Sequence, residues 1–246
     1  MLFAAAAIPA TAQIATGMAI PGGPSSPAAR AAIPSSGRQV VVDAASARLF
    51  MVENGRIVDS MKVIVGKPET ATPVIRSTLY YATLNPYWNV PMDLGRSLIA
   101  PNVLKLGMSY LRDKGYEVVS GFTGDPRIID PATVDWRAVA EGRAKVHVRQ
   151  RPGPANSMGR MKFGFANDDG IYLHDTPKKE LFAEAQRNIS HGCVRLEDAD
   201  RLARWLLGRD APATGTPEDH VALPRPVPIT IAYLDGSEAT MLAALR

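Results

Sequence analysis

Cys193 is the single cysteine of a 246-residue chain, in the run Ser190-His191-Gly192-Cys193-Val194-Arg195-Leu196, downstream of His174 in Tyr172-Leu173-His174-Asp175. One thiol forms no internal disulfide, and with four histidines in the chain a multi-cysteine zinc site is excluded. Cys193 is therefore either an apolar filler or a nucleophile. Free cysteine is often core, but Ser190-His191-Gly192 is a poor core segment, which favours the nucleophile. A metal site built from His174, His191, Cys193 and His220 would draw on two ligands two positions apart, and no metal is expected.

A free thiol titrates near 8.5, so an imidazole that takes its proton raises the reactive species about thirtyfold at neutral pH, roughly 2 kcal/mol. His174 is the base this chemistry asks for. Its second ring nitrogen needs an acceptor, either the backbone carbonyl or the carboxylate of Asp175. Gly192 permits a sharp turn that would leave the Gly192 and Cys193 N–H groups facing an oxyanion, about 3 kcal/mol per donor. His191 would line the same pocket. Arg195 either receives a carboxylate through its planar fork or pairs with Asp198 and Asp200. A catalytic thiol here is expected to titrate well below about 8.5, an inert one not.

The elements that must position these groups are mostly strands. RQVVVD, ARLFMV and RIVDSMKVIV are β-branched runs, and Glu53-Asn54-Gly55 between the last two predicts a hairpin. STLYYATL, KVHVRQ, MKFGFAND, IYLHD and VPITIAYLD read as further strands, with His174 at the end of its own. Between them SLIAPNVLKLGMSYLRDKG and DPATVDWRAVAEG have helical character, so residues 92–145 are expected as a capping insertion. TPKKELFAEAQRN is expected as a short helix from its Thr-Pro start, and LEDADRLARWLLG as an amphipathic one. Trp136 and Trp205 fall on helical faces and are assigned to cores.

Residues 1–12, MLFAAAAIPATA, have a short apolar core ending in Ala10-Thr11-Ala12, and Gln13 to Gly37 is dominated by Ala, Pro, Gly and Ser. Residues 1–37 are thus expected as a signal-like leader and a disordered linker, and 38–246 as the catalytic domain. No apolar run is long enough for a membrane-spanning helix. The formal charge of +4 is scattered without a basic run, which argues against a nucleic-acid partner.

His174 followed by Ser-His-Gly-Cys-Val-Arg resembles the signature of the L,D-transpeptidase (YkuD-type) catalytic domain family. The likeness runs from about Arg38 to Asp235, and NPYWNVP, DPATVDW, PGPANSMGRMKF and IYLHDTP resemble its capped subgroup. Thr72-Pro73-Val74-Ile75 departs from the pattern by lacking a glycine carried by many short members.

The resemblance implies a mainly β, α+β fold: two packed mixed sheets forming a sandwich-like cradle, with short helices and the capping insertion. It implies Cys193 as acylated nucleophile, His174 as general base and the Asp175 carbonyl as its orienter. Ser190, His191 and Gly192 would shape the oxyanion side, and Tyr172 and Trp88 the substrate groove. The implied reaction needs no cofactor: peptidoglycan tetrapeptide stems serve as donor and acceptor, a thioester forms, and 3→3 crosslinks result. Carbapenem-type β-lactams are the implied inhibitors and the periplasm or cell envelope the implied location. Other acceptors for the same thioester would make an L,D-carboxypeptidase, a D-amino-acid exchange enzyme or a protein-anchoring enzyme. A rival of another class is a wall-binding module with an inert thiol.

Overall fold

A computed structural model describes residues 36–235, so the leader and linker expected over 1–37 lie outside the described residues except for Ser36 and Gly37. β1 (Arg38–Asp43) pairs antiparallel with β2 (Arg48–Glu53), which turns through Asn54-Gly55 into β3 (Arg56–Gly66). Asn54 and Gly55 have φ of 50° and 74°, the positive values that a two-residue hairpin turn matched to strand twist requires.

β4 (Ile75–Leu84) is followed by β5 (Trp88–Asn89), β6 (Tyr116–Val119), β7 (Ile128–Ile129) and β8 (His147–Gln150). Then come β9 (Met161–Phe165), β10 (Leu173–His174), β11 (Asn188–Ser190), β12 (Val194–Leu196) and β13 (Asp219–Ala232). Nine of them form one mixed sheet in the order β11-β3-β12-β10-β9-β4-β13-β1-β2, and because β2 also pairs with β3 the sheet curls back on itself. β13 is longer than VPITIAYLD predicts, since it starts at Asp219 and carries an irregularity between Ala222 and Val227 around its prolines.

Alternate residues of these strands, among them Val40, Leu49, Met61, Leu79, Phe163 and Leu173, bury in one core. Of the five α-helices among the described residues, one lies against that core, the run Ala199–Leu207 predicted as amphipathic. Asp198 caps it by accepting from the Arg201 N–H at 2.9 Å, and Gly208 ends it in the left-handed region with φ 70°. Trp205 packs partly buried on the same core.

The second sheet has the order β5-β8-β6-β7 and its own core of Val90, Ile99, Val103, Leu111, Val118, Trp136 and Val148. Its helices are α1 (Met92–Leu94), α2 (Ala100–Leu106), α3 (Ser109–Asp113) and α4 (Trp136–Ala140), which makes Ala199–Leu207 α5. A π-turn over Gly95–Ile99 separates α1 from α2, just before Pro101, which has no N–H to give the ladder. Mainly β with short helices and two sheets, the architecture matches the class expected from the sequence.

Leu84 of β4 pairs with Met161 of β9, so residues 85–160 leave and rejoin the large sheet at neighbouring positions. Buried Asn156 ties the two passes of chain together. Its amide donates to the carbonyls of Pro86 (2.9 Å), Arg151 (2.9 Å) and Gln150 (3.2 Å), and its oxygen accepts from the Met158 N–H at 2.7 Å. The Gln150 amide adds bonds to Lys114 O and Ala155 O, both 2.8 Å. No helix of the described residues is long and apolar enough to cross a membrane.

One predicted element is corrected. TPKKELFAEAQRN holds only a 3-10 turn over Lys179–Ala183. The Lys179 ammonium is drawn to the Asp175 carboxylate and to the carbonyls of Leu196 and Glu197, and Phe182 is buried, so tertiary contacts set the local chain path.

Candidate active site

β10 and β12 are adjacent and parallel, with Leu173 opposite Val194 and His174 opposite Arg195. The Val194 N–H donates to Tyr172 O at 3.0 Å, which fixes Cys193 opposite Tyr172. Leu173, Val194 and Leu196 are fully buried in the core, so strand alternation projects Tyr172, His174, Cys193 and Arg195 from the other face. On the neighbouring strand β9, Lys162 lies opposite His174.

His174 is buried, 5% exposed, and its Nδ1 lies 2.5 Å from Asp175 O. A carbonyl only accepts, so Nδ1 carries the proton and Nε2 keeps its lone pair. The Asp175 carboxylate is engaged elsewhere, by the Arg160 N–H at 2.9 Å and the Lys179 ammonium at 2.7 Å. Of the two acceptors left open by the sequence, the carbonyl holds the ring. Gly159, at φ 63°, makes room for this: a Cβ there would meet Asp175 Oδ2 at 2.3 Å. Lys179 also reaches Glu197 O at 2.8 Å and Leu196 O at 3.2 Å, binding the chain after β10 to the end of β12.

Burial pushes the His174 pKa down to about 4; the Asp175 carbonyl opposes it, and the charges of Arg195 and Lys162 add to it. Burial likewise pushes the Cys193 thiol up, against a smaller downward pull from a hydrogen bond to the Tyr172 backbone and from Arg195. That direction runs against the expectation of a thiol titrating well below 8.5. The half-buried thiol donates to Gly170 O at 3.8 Å, and among the described residues it makes no hydrogen bond to His174.

The loop before Cys193 is held from inside. The buried Ser190 hydroxyl donates to Cys193 O at 2.6 Å and accepts from the Gly192 N–H at 3.1 Å. Gly192 N–H, expected to be free for an oxyanion, is therefore occupied by a competing side-chain oxygen. The Cys193 N–H has no acceptor among the described residues. Gly192 has φ 113°, a value L side chains rarely adopt, and its carbonyl accepts from Thr72 Oγ1 at 2.7 Å. Thr72, 1% exposed, also accepts from Gly66 N–H at 2.9 Å, while Thr70 Oγ1 donates to Ser190 O at 3.1 Å. Sequence reasoning missed these buttresses; the only signal was the Thr72-Pro73 loop itself.

Arg195 is half-buried on the site face. Asp198 and Asp200, its expected alternative partners, pair instead with Arg201 and Arg160, and among the described residues Arg195 has no ion pair. Tyr172 lies under the Lys162 ammonium, 5.5 Å from its ring centroid, and Lys162 pairs with Glu218 at 3.1 Å. His191 is exposed. Trp88 packs in the second sheet, 6.3 Å from the Tyr116 ring, and among the described residues makes no ring contact or hydrogen bond with Cys193 or His174.

Residues 37–229 match the YkuD family, the L,D-transpeptidase catalytic domain, and the chain belongs to that family. A curated Haemophilus influenzae protein, provisionally named an L,D-transpeptidase, is 34% identical over 175 residues. The match covers 71% of this chain and 35% of that protein, so the chain spans about a third of its relative's length. Among solved structures, an L,D-transpeptidase from Mycobacterium smegmatis is similar with TM-score 0.37 and 14% identity over 79% of this chain and 58% of that one. L,D-transpeptidase 3 from Mycobacterium tuberculosis, in complex with a faropenem-derived adduct, is similar with TM-score 0.38 and 16% identity over 79% and 59%.

Proposed function

We propose that this chain is the catalytic domain of a cysteine-dependent L,D-transpeptidase that crosslinks peptidoglycan tetrapeptide stems 3→3. The observation that carries the reading is the placement of Cys193 and His174 on one sheet face, on the Tyr172–Val194 register of two parallel strands, with the imidazole fixed by Asp175 O.

His174 Nε2 takes the Sγ proton as sulfur attacks the carbonyl between the third-position diamino acid and D-Ala. The oxyanion accepts from the Cys193 N–H, with Ser190, Gly192 and His191 shaping that side of the loop. Collapse breaks the C–N bond, and the imidazolium returns the proton to the departing D-Ala amine. The side-chain amine of a second stem then attacks the thioester, His174 accepts its proton, and the thiolate leaves. With burial lowering the imidazole and raising the thiol, proton transfer accompanies attack and no thiolate need accumulate in the free protein.

Arg195, half-buried and without an ion pair among the described residues, receives a stem carboxylate. Tyr172 lines the groove, and Trp88, with the insertion of residues 92–145, caps it. The substrate implies an exported protein of the cell envelope, and a strained β-lactam such as a carbapenem would acylate the same sulfur.

Intact mass of wild type and Cys193→Ala after incubation with a disaccharide-tetrapeptide or a carbapenem tests this. A Cys193-dependent adduct with 3→3 dimer is expected. Adduct with only tripeptide would mean hydrolysis, and absence of any adduct would overturn the acyl-transfer reading in favour of a wall-binding module.

A further inference from the structure

The site face continues well beyond the reacting pair, along two lateral rows set by strand register. One row crosses β12, β10, β9, β4 and β13 as Arg195, His174, Lys162, Thr83 and His220. The other runs from Cys193 past Tyr172 and Gly164 to Tyr81. The first row is polar and cationic near the thiol, and the second is aromatic.

A bulge in β4 shapes the aromatic row. Leu79 pairs with Phe165 and Tyr81 with Gly164, so Tyr80 is the extra residue, and such a bulge re-aims side chains. Leu79 stays in the core, while Tyr80 and Tyr81 are 54% and 40% exposed. The Tyr81 ring lies across Gly164: a Cβ on that glycine would meet Tyr81 Oη at 3.3 Å and the ring carbons at 3.6 Å. His220 braces its far side edge-on, with centroids 5.1 Å apart and planes at 68°. The ring is thus seated by a missing side chain and held from behind, facing solvent in line with the thiol.

We propose that Tyr80 and Tyr81 form a saccharide subsite that seats the sugar ring bearing the donor stem; this rests on the acyl-transfer reading above. Three strand steps of about 4.8 Å place the Tyr81 backbone about 14 Å from Cys193, and its ring reaches back to about 10 Å. Three stem residues separate the attacked carbonyl from the sugar, about 10 Å when extended, so the sugar arrives over the tyrosines. The faces of the rings suit it: a π-face is electron-rich and accepts the C–H groups of a pyranose, but repels the carboxylates of the stem. Those carboxylates find Arg195, without an ion pair among the described residues, in the neighbouring row.

The test measures binding by calorimetry on the Cys193→Ala protein, which cannot turn over, with disaccharide-tetrapeptide and free tetrapeptide as probes. The disaccharide form should bind roughly tenfold tighter, and Tyr81→Ala should erase that ratio while Tyr81→Phe keeps it. Tyr80→Ala should reduce it. Equal affinity for the two probes would overturn the subsite, as would a ratio that survives both alanine variants. Equal weakening of both probes by Tyr81→Ala would put the peptide on the platform and also overturn it. A tyrosine-dependent ratio in a protein whose wild type forms no Cys193 adduct would support the subsite and remove the transpeptidase reading.

Discussion

Replacing His174 by glutamine should flatten the acid limb of the stability curve. In the folded protein burial holds the imidazole neutral down to about pH 4, whereas in the unfolded chain it takes a proton near its ordinary 6.5. Between those values the unfolded state binds more protons, so folding stability falls as pH falls. It is fully present above 6.5 and is lost toward 4. A separation of 2.5 units, 6.5 to about 4, at 1.36 kcal/mol per unit limits the loss to about 3 kcal/mol. With the side chain 5% exposed, solvent screening takes little from this figure. Urea unfolding of wild type and His174→Gln at pH 7, 5.5 and 4 reads it directly. The wild type should lose about 3 kcal/mol more than the variant, most of it between pH 6 and 4. Parallel curves would show that the imidazole titrates normally in the fold, and a general base held neutral by burial would have to be abandoned.

Thiol chemistry should follow the same logic: alkylation of Cys193 by iodoacetamide should climb through pH 8.5 and above, because burial pushes the thiol up, and a plateau already reached at pH 7 would mean a pre-formed thiolate. Asn156→Ala removes the buried amide that donates to the carbonyls of Pro86, Gln150 and Arg151. It should cost about 2–4 kcal/mol in urea unfolding and open residues 85–91 to limited proteolysis. Gly159→Ala places a methyl 2.3 Å from Asp175 Oδ2 at a positive φ. Carbapenem acylation should drop at least tenfold as the Asp175 loop shifts, with thermal denaturation separating this from loss of the folded state.

The candidate residues were legible because their signal is local. One thiol beside a glycine, and a histidine at the end of a short strand, are readable without knowing what lies next to them, and so were the hairpin at Asn54-Gly55 and the amphipathic helix within LEDADRLARWLLG. What was not legible depends on partners distant in sequence. Nothing in the runs IYLHD and SHGCVRL says that they lie side by side in parallel, yet that register puts His174 and Cys193 on one face. Ser190 was expected to shape the oxyanion side, and its hydroxyl turns inward to take the Gly192 N–H, a competition between side chain and backbone that spacing does not reveal. Asp175 serves twice, by its carbonyl and by its carboxylate, and the second role needs Arg160 and Lys179 from elsewhere in the chain. Thr72 emerges only because β3 and the Cys193 loop meet.

The pairing of Leu84 with Met161 makes the whole of residues 85–160 the turn of a β-hairpin. Closing a connection grows only slowly more costly with its length, so the ladder between β4 and β9 is nearly indifferent to what the connection contains. Apart from Gly159 and Arg160, which seat the Asp175 carboxylate, the connection should therefore tolerate lengthening or re-sequencing while the β4–β9 ladder keeps its register.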